Sequence, residues 1–250
     1  MDRWNGKVAV VTGASAGIGL SITKILVRNG MIVIGLARRE EKMRQEMKNA
    51  EGPGEFHAKK CDVTKEAEVI EAFDYVRRTF KSLSVLINNA GSVNLNTIEA
   101  AETAELSQVI ALNFMGPLYC SKQGIKLMKE NSDEGHIINI NSIAGHKVIH
   151  PSCLMNTHTN VYSPSKFALT ALSEVLTNEL LGSKIRVTNL SPGLVITEVV
   201  QNAVDKSTGI IHANPALQPD DIANAIVFVL GTPVHVQITQ LTIKPLGEPY

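Results

Sequence analysis

The chain has 250 residues, 44% of them hydrophobic and 19% charged, and its 24 Lys plus Arg balance 24 Asp plus Glu. That is enough apolar material for one core in one domain spanning 1–250, and the absence of a sustained basic face argues against a nucleic-acid-binding protein. No apolar run approaches twenty residues and the start Met1-Asp2-Arg3-Trp4-Asn5-Gly6 lacks the apolar region of a signal peptide, so a soluble, cytoplasmic protein without a membrane span is expected.

The first predicted strand, Lys7-Val8-Ala9-Val10-Val11, runs into Thr12-Gly13-Ala14-Ser15-Ala16-Gly17-Ile18-Gly19, after which Leu20, Ile22, Ile25, Leu26 and Val27 recur at mostly helical intervals. Strand, glycine turn and helix follow in the order a dinucleotide site needs. Gly13 and Gly17 let the backbone approach a pyrophosphate, Gly19 lets helix pack closely on strand, and the helix N-terminus offers free N–H groups. The spacing G-x-x-x-G-x-G departs from the usual G-x-G-x-x-G, and a glycine turn by itself is equally a tight connection.

A second strand at 31–36 ends in Gly35-Leu36-Ala37-Arg38-Arg39. A basic rather than acidic side chain there suits the 2′-phosphate of NADP, although with Glu40 and Glu41 it also reads as the start of a solvated helix. Helices at 39–50 and 65–80 flank a weaker strand at 54–60, and Asp62-Val63 follows that strand. A strand at 84–88 closes in Asn88-Asn89-Ala90-Gly91, whose asparagines can bridge neighbouring strands. One long helix is expected over 102–130, carrying the polar Asn113 in an apolar setting that demands a partner. The strand at 136–141 ends at Ser142, and the one at 185–190 is followed by Pro192-Gly193, a turn-forming pair. Helices at 161–182 and 219–230 and a strand at 236–243 complete the series. Segments 143–161 and 193–217 carry little periodicity and read as loops flanking a site. The alternation predicts an α/β fold: a Rossmann-type doubly wound, mostly parallel sheet with helices on both faces and ligands at the carboxyl ends of its strands.

Tyr162-Ser163-Pro164-Ser165-Lys166 places a phenol and an ammonium four residues apart, on one face of a helix. A phenol near pKa 10 exchanges protons poorly at neutral pH until something favours its anion, and a fixed lysine charge does so. The pair reads as a tuned general acid/base; its bland alternative is a surface Tyr and Lys on an amphipathic helix.

Thr12-Gly13-x-x-x-Gly17-x-Gly19, Asn88-Asn89-Ala90-Gly91, Ser142, Tyr162-x-x-x-Lys166 and Pro192-Gly193, together and in order, resemble the short-chain dehydrogenase/reductases. Within that family the chain looks most like the group of insect farnesol dehydrogenases and vertebrate dehydrogenase/reductase member 11, through Gly135-His136-Ile137-Ile138-Asn139-Ile140-Asn141-Ser142 and Thr232-Pro233-x-His235-Val236-Gln237-Ile238. The resemblance implies an NADP-dependent oxidoreductase acting as a homodimer or homotetramer on a small apolar alcohol or carbonyl compound. It implies four catalytic residues: Ser142 orienting the substrate oxygen, Tyr162 as general acid/base, Lys166 lowering the tyrosine pKa and holding the nicotinamide ribose, and Asn113 holding a water beside the lysine. The cofactor contacts it implies are Gly13, Ser15, Gly17, Ile18 and Gly19 at the turn, Arg38 with Arg39 beside it at the 2′-phosphate, and Asp62 and Val63 at the adenine. Asn89, Ala90 and Gly91, Tyr162 and Lys166, and Pro192, Gly193, Val195 and Thr197 at the carboxamide complete the set. Ala16 departs from the pattern, since many NADP-dependent relatives carry a basic residue there. The interval between His150 and Val161 is longer than in many relatives.

Leu194, Val195, Ile196, Val199 and Val200, with Val148-Ile149, are expected to give the pocket an apolar side and to select apolar alcohols by burial. Competing readings are a serine or 3-hydroxy-acid dehydrogenase of the same family, a catalytically silent nucleotide-binding regulator, and a zinc hydrolase built on His146, His150 and His158. The last lacks a helical or carboxylate setting, and Cys61, Cys120 and Cys153 are scattered and read as free thiols rather than metal ligands or disulfides. No metal is expected.

Overall fold

The computed structural model describes residues 1–131, 134–151, 158–198, 200–201 and 215–248. Seven strands form one parallel sheet in the order β3-β2-β1-β4-β5-β6-β7. They are β1 (Val8–Thr12), β2 (Ile32–Ala37), β3 (Glu55–Lys60), β4 (Val85–Asn88), β5 (Glu134–Ile140), β6 (Lys184–Pro192) and β7 (Gln240–Ile243). The helices between them are α1 (Gly17–Arg28), α2 (Glu40–Met47), α3 (Glu66–Phe80), α4 (Thr103–Ile110), α5 (Gly116–Asn131), α6 (Tyr162–Glu179) and α7 (Pro219–Gly231).

The central strands are apolar on both faces because both faces are covered. Side chains alternate along β1: Ala9 and Val11 enter the core shared with Ile22 and Leu26 of α1 and Ile226 of α7, while Val8 and Val10 enter the core shared with Phe73 of α3, Leu127 of α5 and Leu169 of α6. The doubly wound expectation therefore holds. Strand order reverses between β1 and β4, which opens a crevice at their carboxyl ends.

Two elements differ from the sequence reading. The helix expected over 102–130 is divided by a π-helical turn at Ala111–Met115, in which the Gly116 N–H reaches back to the Ala111 carbonyl. Pro117 is the cause: it has no N–H for the carbonyl of Asn113, so α-helical bonding lapses there. The last strand starts at Gln240 rather than 236. The carbonyls of Val236 and Ile238 are taken by the Arg186 guanidinium at 2.9 Å and the Thr188 hydroxyl at 2.6 Å, which removes them from the ladder.

Cys61 and Cys120 are buried free thiols, and burial raises both, Cys61 to about 12. Cys153 lies outside the described residues. Among those residues no helix is long and apolar enough to cross a membrane.

His136, paired in register with Arg186, is fully buried, and its Nε2 meets the Thr188 hydroxyl at 2.8 Å. Desolvation, with the Arg186 and Arg3 charges adding to it, holds the imidazole well below its ordinary 6.5. Below that pH the unfolded chain binds a proton that the folded chain refuses. Stability is therefore expected to fall as pH drops below 6.5, by up to about 1.4 kcal/mol per pH unit from this group. Denaturant melts of wild type and His136→Gln between pH 7 and 5 check this: the variant should show the shallower decline, and equal slopes would reject it.

Candidate active site

A cavity of about 520 Å³ runs along the carboxyl ends of β1, β2, β4, β5 and β6. Its floor is the glycine turn. Gly13 and Gly17 sit at φ of 68° and 53°, left-handed backbone that disfavours side chains. A Cβ on Gly13 would lie 2.8 Å from the Asn89 Nδ2, and one on Gly19 would lie 2.4 Å from both that nitrogen and the Gly13 carbonyl oxygen. Asn89 explains both clashes: its Nδ2 donates to the Thr12 carbonyl at 2.9 Å, while the Thr12 hydroxyl accepts from the N–H groups of Asn89 and Ala90. Gly19 thus packs behind the turn rather than lining the cavity. At the opening of α1, Ala16 gives no side-chain cap, so the first helical N–H groups are left for an anion.

At the β2 end Arg38 and Arg39 both line the cavity. Arg38 is exposed and has no ion-pair partner among the described residues. Arg39 differs: it forks onto Glu198 at 2.7 and 3.1 Å and reaches the Ser15 hydroxyl at 3.3 Å. Asp62 and Val63 line the wall beyond β3. The Asp62 Oδ1 accepts from the N–H and hydroxyl of Thr64, an Asx turn rather than a cap on α3, which starts later at Glu66.

At the other end Ser142, Tyr162, Lys166, Gly91, Pro192, Gly193, Val195 and Thr197 line the same cavity. Lys166 is buried and donates from Nζ to the Ile140 carbonyl at 3.0 Å, 5.8 Å from the centre of the Tyr162 ring. A Cβ on Gly91 would sit 3.3 Å from the Asn113 Oδ1 and 3.9 Å from the Lys166 Nζ. The Ser142 Oγ accepts from the Ala144 N–H at 3.1 Å, capping a short 3-10 turn at Ile143–Gly145, and its hydroxyl also hydrogen-bonds the Tyr162 phenol.

One expectation needs correction. Lys166 was expected to lower the tyrosine pKa, but the phenol of Tyr162 is raised: desolvation outweighs the anion-stabilising hydrogen bond with Ser142. The same burial brings Lys166 down to about 8. The Asn113 side chain has its partners within the protein, while its backbone carbonyl lacks the helical N–H that Pro117 cannot supply. Its Nδ2 donates to the Ser92 carbonyl at 2.9 Å and the Ser165 hydroxyl at 3.0 Å, its Oδ1 accepts from the Ser92 N–H at 2.9 Å, and it lies outside the cavity lining. It braces the π turn against α6. Asn88 makes the bridge between strands expected of it, donating to Asn139 of β5 and also to Ser121 of α5, and lies outside the cavity lining.

On the apolar wall Leu194, Val195, Val200 and Ile149 line the cavity, whereas Ile196 does not and Val148 is 72% exposed. Val199 lies outside the described residues. Val93, Leu95 and Leu112 supply the rest of that wall, unforeseen because they come from the segment after β4 and from the π turn. Of the long interval between His150 and Val161, residues 152–157 lie outside the described residues.

Two acidic residues were missed as well. Glu198 is one. The other, Glu248, has a side chain only 2% exposed, and its Oε1 accepts from the Leu194 N–H at 2.9 Å. A Cβ on Gly193 would meet the Glu248 carboxylate at 2.2 Å, so close approach, not turn formation, requires that glycine. His146 is bound to the Ser191 hydroxyl at 2.7 Å, and among the described residues no three His, Cys, Asp or Glu gather as metal ligands.

The sequence profile of the short chain dehydrogenase family matches residues 7–208. The chain is 42% identical to farnesol dehydrogenase of Aedes aegypti, over the whole of both chains. It is 38% identical to dehydrogenase/reductase SDR family member 11 of Gallus gallus, over 99% of each. A solved structure of serine dehydrogenase in its closed form, complexed with NADP⁺, superposes with a TM-score of 0.87 at 29% identity, covering 97% of this chain and 96% of that one. With this fold, this cavity and these relatives, the chain belongs to the short-chain dehydrogenase/reductase family and is an oxidoreductase.

Proposed function

We propose that the protein interconverts an apolar alcohol and its aldehyde or ketone with NADP as cofactor, and that Tyr162 is the general acid/base. The observation that carries this reading is one continuous cavity with Ser142, Tyr162 and Lys166 at one end, aliphatic side chains beside them, and two arginines at the other end. The glycine turn and the uncapped start of α1 suit a pyrophosphate, and Arg38, without an acidic partner among the described residues, suits a 2′-phosphate. Asp62 keeps its second carboxylate oxygen for an adenine amino group. Bound NADP supplies the hydride chemistry, and orientation and proton transfer fall to the chain.

Ser142 orients the substrate oxygen by donating its hydroxyl proton. Tyr162, held in its neutral form by burial, gives its proton to the carbonyl oxygen in reduction and takes it back in oxidation. Lys166, fixed on the Ile140 carbonyl, keeps a positive charge beside the phenol at neutral pH and stabilises the phenolate that forms. Asn113 acts as a positioning residue, holding Ser92 and Ser165 and through them the start of α6. Glu248 fixes the carboxamide segment from beneath through Leu194.

A screen of prenyl alcohols, steroids and short hydroxy acids with NADP and NAD tests the reading. Higher kcat/KM for the apolar alcohols and for NADP is expected, and Arg38→Asp should weaken NADP far more than NAD. The likeness to serine dehydrogenase favours a second reading, a short polar hydroxy acid as substrate. Higher kcat/KM for hydroxy acids would establish that one and reject the apolar substrate.

A further inference from the structure

Arg39 and Glu198 stand 159 residues apart in the chain and meet across the cofactor cavity. The Arg39 guanidinium holds both carboxylate oxygens, at 2.7 and 3.1 Å, and the Lys42 ammonium adds a third contact at 2.9 Å. The same guanidinium touches Ser15 in the glycine turn, and the neighbouring Thr197 packs over Gly17, where a Cβ would come within 3.2 Å of it. Glu198 therefore lies between the wall that recognises the adenosine ribose and the segment after β6 that borders the reacting end.

Three donors that converge on two carboxylate oxygens are also the set a phosphate monoester recruits: a planar fork and an ammonium directed at one anion. Hydrogen bonds from Arg39 and Lys42 hold the Glu198 carboxyl down to about 2, so it carries its charge at every working pH. The pair is half in water, with 50% of the Arg39 and 36% of the Glu198 side chain exposed, and such pairs exchange partners at small cost.

Resting on the NADP reading, we propose that Glu198 is a specificity-determining residue that competes with the adenosine 2′-phosphate for Arg39 and Lys42. Arg38 offers its charge without a contact to break, whereas Arg39 and Lys42 become available to the phosphate only when Glu198 lets go. Glu198 thus sets how strongly a 2′-phosphorylated dinucleotide is preferred over one without that group. By reciprocity, phosphate binding loosens Glu198, and with it the turn at Thr197, from the β2 side of the cavity.

Calorimetric titration of the full chain with 2′,5′-ADP and with 5′-ADP tests this in wild type, Glu198→Gln and Glu41→Gln. Glu41, 83% exposed on α2, controls for loss of a nearby charge without the contact. Glu198→Gln should bind 2′,5′-ADP about three- to tenfold tighter, with 5′-ADP changed by less than about twofold, and Glu41→Gln should change neither by more than about twofold. Unchanged or weaker 2′,5′-ADP binding by Glu198→Gln would overturn the competition, because the pair would then persist around the bound nucleotide. Equal tightening of both nucleotides, or an equal effect from Glu41→Gln, would overturn it as well. A wild type that fails to prefer 2′,5′-ADP rejects the NADP reading itself, whereas a wild type that prefers it beside an unaltered Glu198→Gln rejects the competition alone.

Discussion

Replacing Tyr162 with Phe is expected to lower turnover by about 10²- to 10⁴-fold while NADPH binding stays near that of the wild type. The substitution deletes one oxygen and leaves the glycine turn, the arginines and the ring's contacts with Ile143 and Ile149 intact. Lys166→Ala should damage both properties. Its ammonium is the buried positive charge beside the phenol and lines the cofactor cavity, where the family resemblance implies a contact to the nicotinamide ribose. Fluorescence titration of NADPH beside steady-state rates separates the two variants. Near-normal turnover in Tyr162→Phe would leave a nucleotide-binding fold whose proton chemistry lies elsewhere, and would revive the silent-regulator reading.

The second large effect is expected from Gly19→Ala. The added methyl would meet the Gly13 carbonyl oxygen and the Asn89 Nδ2 at 2.4 Å, and the first of these is backbone that moves only if the turn moves. Overpacking of this kind costs about 1–3 kcal/mol. The larger consequence is functional, because displacing Gly13 disturbs the surface that would cradle the pyrophosphate. NADPH affinity should fall by at least about tenfold, with a lowered Tm. Gly231→Ala, where a Cβ meets nothing within 4 Å, should change neither. A Gly19→Ala protein with unaltered affinity would show that the turn does not form the phosphate floor.

The sequence by itself determined the elements whose causes are short-range. The apolar run of β1, the glycine turn and the periodicity of α1 lie within 22 consecutive residues, Lys7 to Arg28, and each follows from local sterics and side-chain alternation. Tyr162 and Lys166 share a face because four residues make about one helical turn. The alternation of strand and helix dictated the parallel sheet, and Pro117 carried a legible signal for the break at Asn113 that a purely apolar periodicity passes over.

Tertiary structure alone decided what each polar group faces. Nothing near Arg39 in the chain announces Glu198, and nothing near Gly193 announces Glu248, because each pair is joined by the fold across long stretches of sequence. Asn113 gave no hint that Ser92 and Ser165 would saturate it. The pKa of Tyr162 moved opposite to the expectation drawn from the spacing of Tyr162 and Lys166 for the same reason. Spacing fixes which charges are near, but desolvation depends on how many other segments close over the phenol, and those segments meet only when the sheet and its crossovers are assembled.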